Sequence, residues 1–218
     1  MSKKNWILSF ALLSILACIL FVRNYYSFCW SDESLYMAEV HRLFLGERPF
    51  VDEWHPTQFY AVLLLPWYRL YVRWNGSTDG IYLWARHLYL FLSLGVGIYS
   101  CYILNKYIKI TIGFSIAAGA LIMLYSRSCV AGISYHNIFM LLTVLADMLL
   151  IHATQCRHTE GISRKCRAVS ILSGICIGMA IVTIPLFLFL LPILLLVVLT
   201  WAKKRIILRT YASLFSVY

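Results

Sequence analysis

The sequence predicts an all-α protein: a multi-pass transmembrane helical bundle with two interfacial helices in its first external loop. Three observations carry this. The 218 residues are 61% hydrophobic and only 13% charged, against roughly 45–50% and 25% in a soluble domain. Several apolar runs approach the roughly 20 residues that cross a bilayer. The charged residues are sorted along the chain in a way that a membrane topology explains. An ordinary soluble domain, a disordered chain and a disulfide-stapled secreted module are excluded by this composition.

The first apolar run, 6–22, follows Lys3 and Lys4 and lacks a small-x-small cleavage site. It reads as an uncleaved anchor. Further spans are expected at 81–103, 110–126, 132–152, 168–184 and 186–201. The last two divide one apolar run, too long for a single crossing, at Pro185. The whole of 1–218 is expected to form one membrane domain.

Residues 57–74 are apolar and aromatic but contain Pro66, Arg69 and Arg73. Charge decides their placement. If they lie on the membrane, kinked or started anew at Pro66, 12 of the 19 basic residues fall on the amino-terminal side and 7 on the other. Basic loops stay cytoplasmic. The amino terminus is therefore expected in the cytoplasm and the chain in the plasma membrane of a bacterial cell. The net charge of +10 is then topology, with no nucleic-acid partner implied. The seven cysteines form no CxxC pair and no metal-ligand spacing, so no metal site is assigned; a divalent ion held by Asp/Glu pairs stays open.

Seven of the nine acidic residues (Asp32, Glu33, Glu39, Glu47, Asp52, Glu53 and Asp79) fall in the external loop 24–80. Ser31 or Asp32 can cap a flat helix over 32–46. Its apolar stripe is Tyr36, Val40, Leu43 and Phe44, Glu39 and Arg42 lie elsewhere on its surface, and Gly46 ends it. Asp52, Glu53, Trp54 and His55 precede the second flat helix, 57–74. Arg86 stands near the outer end of the next span, and Arg127 with Tyr135, His136 and Asn137 forms a polar group in the second external loop. Each cluster has a plainer reading: a helix cap, an aromatic interfacial anchor, ordinary loop polarity.

An outward Asp-Glu opening a flat helix, a second acidic motif ending in Pro56, an aromatic interfacial helix and then Arg86 together resemble the GT-C superfamily of integral-membrane glycosyltransferases. The resemblance is to its protein O-mannosyltransferase and aminoarabinose transferase branch. The Gly-rich span from Gly174 to Pro185 is similar to that family's Gly-rich span ending before proline. The resemblance covers about 5–201 and rests on motif order. It implies sugar transfer from a polyprenyl-phosphate donor to an acceptor at the outer membrane face. Asp32 would be general base or positioner of the acceptor, with Glu33 its catalytic neighbour. Asp52, Glu53, His55, Arg86, Arg127 and His136 would bind substrate. His55 stands where many relatives carry lysine. The closing residues read like the start of another span, so the chain is expected to be an amino-terminal portion of such an enzyme. A non-catalytic binder of lipid-linked glycan is the second expectation. A transporter is the third, because only Asp147 is a clear intramembrane charge.

Overall fold

The computed structural model describes residues 3–26, 32–49, 51–52, 57–126, 132–160 and 163–190. They are helical, with no strand among them. The helices are α1 (Lys3–Tyr26), α2 (Glu33–Phe44), α3 (Phe59–Asn75), α4 (Ile81–Ile103), α5 (Ile112–Leu124), α6 (Tyr135–Glu160) and α7 (Arg164–Thr183). A π turn, Leu104–Ile108, extends α4. Contacts divide the chain into two units, Met1–Ile184 and Pro185–Tyr218. Among the described residues the second unit contributes a 3₁₀ helix, Pro185–Leu190. Most of the expected span 186–201 lies outside the described residues.

Among the described residues four segments are long and apolar enough to cross a membrane: Asn5–Tyr26, Ile81–Ile108, Tyr135–Arg157 and Arg164–Thr183. The 13-residue α5 is apolar but shorter. On α1, exposed Trp6 and Tyr25 are 19 residues apart, about 29 Å at 1.5 Å per residue. That matches the roughly 30 Å hydrocarbon core, at whose two edges aromatic rings collect.

Taken in chain order, α1, α4, α5, α6 and α7 alternate in direction. Trp6 meets the Tyr102 ring at 6.0 Å, while Asn24, at the other end of α1, accepts from Arg86. α1 and α4 are therefore antiparallel. The Tyr89 hydroxyl of α4 donates to the Tyr125 carbonyl just after α5. Tyr99 pairs with His152 of α6 at 2.9 Å. Ser173 of α7 donates to the Ala146 carbonyl at 2.8 Å, and Cys166 to that of Ala153 at 3.3 Å. Lys106, Lys109, Arg157, Arg164, Lys165 and Arg167 thus gather at one end, and the acidic loop at the other. α4 and α5 cross at paired glycines: a Cβ on Gly97 would come within 2.9 Å of the Gly119 carbonyl oxygen, and the reverse is equally close.

Both ends of α3 meet residues at the acidic end. The Tyr60 ring faces Tyr135 in the first turn of α6 at 6.1 Å, and the Tyr71 ring faces Trp84 in the first turn of α4 at 5.0 Å. α2 packs beside α3 through Tyr36–Tyr60 and His41–Tyr68. α2 closes in a Schellman motif: Gly46, at φ 101°, donates to Leu43, and Glu47 donates to Arg42. Glycine suits this left-handed position because it has no Cβ.

Three local expectations change. Pro66 neither ends nor restarts the helix: α3 is one continuous element with Pro66 inside it. Asp32 occupies the cap position of α2 but makes no side-chain capping bond. Glu39 is buried, 6% exposed, because α3 lies over the side of α2 on which it stands.

Candidate functional site

The expected site residues come together at the start of α2. Arg86, one turn into α4, reaches it with its whole guanidinium. Nε donates to Glu33 Oε1 at 2.7 Å and Nη2 to Oε2 at 2.6 Å. Nη1 donates to the Asn24 carbonyl at 2.9 Å. The two side chains are 12% and 15% exposed. Such a two-point fork fixes the carboxylate plane as well as its position. Gly132, on the chain entering α6, lies against the pair: a Cβ there would make ordinary contacts, 3.6 Å from Glu33 Oε1 and 3.8 Å from Arg86 Cγ.

Asp32 is the residue before this clamp. It is half-buried, and its backbone carbonyl accepts the first helical hydrogen bond, from Tyr36, at 2.9 Å. Its carboxylate forms no hydrogen bond or ion pair among the described residues. An ionised carboxylate with open acceptor positions can take a proton or hold a hydroxyl group.

Asp52 has a different occupation. Its Oδ2 accepts the Arg48 backbone N–H at 2.6 Å and faces Arg48 Nε at 3.8 Å. It closes the turn after α2, within which Val51 and Asp52 also donate to the Arg48 carbonyl. Glu53, His55, Arg127 and Ser31 lie outside the described residues. His136 stands in the first turn of α6, its ring 3.9 Å from that of Tyr135. That turn is fixed by Ser134, whose hydroxyl accepts the Asn137 N–H at 3.1 Å, and by buried Asn137, which donates to the Gly132 carbonyl at 2.8 Å.

Beside Glu39 of α2 lies a group that residue counting misses. Tyr36, Tyr60 and Tyr135 pack mutually, with centroids 5.7–6.1 Å apart. The Tyr60 hydroxyl donates to the Tyr36 carbonyl at 3.0 Å. Burial, and next the neighbouring Glu39 carboxylate, push the Tyr60 phenol far above the ordinary tyrosine range. Tyr36 was legible only as part of an apolar stripe. Asn24 was also missed; it is 4% exposed and its Nδ2 has no hydrogen-bond partner among the described residues. Its one sequence signal is a lone amide at the edge of an apolar span.

Below the acidic end runs an apolar groove of about 660 Å³, open mouth included. Leu64 and Trp67 of α3, Leu92 and Val96 of α4, Leu141 of α6 and Met179 of α7 line it. No group of three or more His, Cys, Asp or Glu able to hold a metal ion occurs among the described residues. Comparisons of the chain with protein families, with curated proteins and with solved structures find no match.

Proposed function

We propose that the chain carries the donor- and acceptor-binding region of a glycosyltransferase that moves a sugar from polyprenyl phosphate to an acceptor at the outer membrane face. The observation that carries this reading is the Glu33–Arg86 clamp beside an uncommitted Asp32 carboxylate. A cap aspartate would spend its oxygens on backbone N–H groups; this one keeps them. Asp32 would accept the proton of the acceptor hydroxyl, or orient it, as the hydroxyl attacks the anomeric carbon and the bond to phosphate breaks. Glu33 would hold Arg86 rather than meet substrate, so its part is positioning.

The apolar groove supports the reading from the donor side. An isoprenoid chain needs a dry, branched-residue wall at membrane depth with its phosphate at the interface, and α3 supplies wall to this groove while both its ends meet the acidic end. In this reading α2 and α3 are the interfacial helices, the amino terminus is cytoplasmic and the membrane is the plasma membrane.

The groove is tested by photolabelling. A polyprenyl phosphate with a photoreactive group on its isoprenoid chain should label peptides containing Trp67 or Leu92, and excess unlabelled polyprenyl phosphate should suppress that labelling. Even labelling of every apolar helix, unaffected by the competitor, would count against the donor assignment.

A further inference from the structure

The basic end holds a second built feature, which sugar transfer at the opposite end leaves unused. α4 does not end at Ile103 but runs on as the π turn Leu104–Ile108. Lys109 closes that turn in the left-handed region, φ 62°. π turns are rare and cluster at functional sites, and a left-handed non-glycine residue is a strained one. Within the turn, Lys106 is held rather than splayed into solvent. Its Nζ donates to the Tyr102 hydroxyl at 2.5 Å. It lies 5.0 Å from the Tyr102 ring centroid and 4.9 Å from that of Tyr107.

The two rings are themselves supported from neighbouring helices. Trp6 of α1 packs edge-on against Tyr102. His152 of α6 lies 5.3 Å from Tyr107 and is hydrogen-bonded to Tyr99. The ammonium is nevertheless exposed, as are Lys109 and Arg157. None of these three cations is in an ion pair among the described residues. A lysine has three N–H donors; Tyr102 takes one and the Tyr107 side chain is a second partner. What remains is a pre-oriented, exposed cation with a donor still open, ringed by tyrosines at the edge of an apolar helix. Tyrosine and lysine hold that depth in membranes because lipid phosphates lie there.

We propose that Lys106, clamped by Tyr102 and Tyr107, is the anchor of a binding site for the phosphate of an anionic phospholipid in the cytoplasmic leaflet. The clamp removes most of the rotamer freedom that an ordinary surface lysine would lose on binding. A single phosphodiester charge matches the one held ammonium, and the lipid tails would lie along the apolar side of α4.

The test is lipid retention by the full chain, purified in detergent micelles doped with phosphatidylglycerol or phosphatidylcholine and read by native mass spectrometry. Phosphatidylglycerol should be retained in preference to phosphatidylcholine. Lys106→Gln should lower that retention roughly fivefold. Lys165→Gln removes the same charge from the same end outside the clamp, and should lower it less than twofold. Millimolar inorganic phosphate should leave the retained lipid in place. Tyr102→Phe keeps the ring and removes the positioning hydroxyl; it should fall between the two lysine variants, and it decides the matter if Lys106→Gln does not fold. Equal retention of the two lipids, or equal losses in all variants, would show only diffuse attraction to a basic end and overturn the proposal. Displacement by inorganic phosphate would overturn it in favour of a free-anion site.

Discussion

Arg86 and Glu33, 53 positions apart, form a two-point ion pair with N–O distances of 2.7 and 2.6 Å. The third arm of the guanidinium binds the carbonyl of Asn24. One side chain thereby joins the end of α1, the start of α2 and the second turn of α4.

Breaking that pair leaves a nearly buried charge without its partner. Arg86→Ala or Glu33→Ala should each destabilise the protein by about 2–4 kcal/mol. The double variant should cost less than the sum by at least about 1 kcal/mol. Denaturant unfolding in a fixed detergent, run as a double-mutant cycle, measures this. Strictly additive losses would mean the two groups do not act as a pair.

The crossing of α4 and α5 makes a contrast between two glycines on one helix. A Cβ at Gly97 would overlap the Gly119 carbonyl, whereas one at Gly95 meets nothing within 4 Å. Gly97→Ala should cost about 1–3 kcal/mol through overpacking. Gly95→Ala should change stability by no more than about 1 kcal/mol, in the favourable direction that helix propensity gives. Thermal unfolding of the two variants side by side separates these outcomes.

Tyr60 gives stability a dependence on alkaline pH. Its phenol is held above the ordinary range by burial and by Glu39, while an unfolded tyrosine ionises near pH 10. The stabilisation is therefore complete below about pH 10 and declines as pH rises past it. Between about pH 10 and 11 the wild type should lose stability more steeply than Tyr60→Phe, by up to about 1.4 kcal/mol per pH unit. Parallel curves for the two proteins would place the alkaline sensitivity in other tyrosines.

The arrangement of basic and acidic ends predicts sidedness. In a cysteine-free background, a membrane-impermeant thiol reagent applied outside intact cells should label a cysteine introduced at Gly76 and spare one at Gly161. The opposite pattern would invert the topology and remove the acidic end from the outer face.

Hydropathy made the helical class legible, because an apolar run long enough to cross a bilayer has few other solutions. Arg86 stood out as a cation near the end of a span, but its partner could not be named, since a pairing across 53 residues depends on how three helices meet. Asp32 read equally well as a cap or as a reactive group. At the start of α2 no side-chain capping bond is made, a fact of local geometry that the residue types do not carry, and the reactive reading stays a proposal. Glu39 read as a surface residue from the stripe of α2 alone; α3 buries it, and that burial belongs to the packing of two helices rather than to either sequence. Pro66 interrupts local hydrogen bonding without interrupting α3, whose burial of Tyr60, Ala61, Leu64 and Tyr68 holds both halves in place. The π turn at Leu104–Ile108 has no sequence signature of the kind that caps and turns provide.

The most direct test of the central claim is transfer of labelled sugar from a synthetic polyprenyl-phosphate donor in membrane vesicles, comparing wild type with Asp32→Asn. Asparagine keeps the size of the residue, and Asp32 makes no side-chain capping bond that could be lost, but asparagine cannot take the acceptor proton. The account predicts a folded variant, with an unchanged unfolding midpoint, whose transfer rate falls about a hundredfold or more. Transfer by Asp32→Asn at close to the wild-type rate would contradict it.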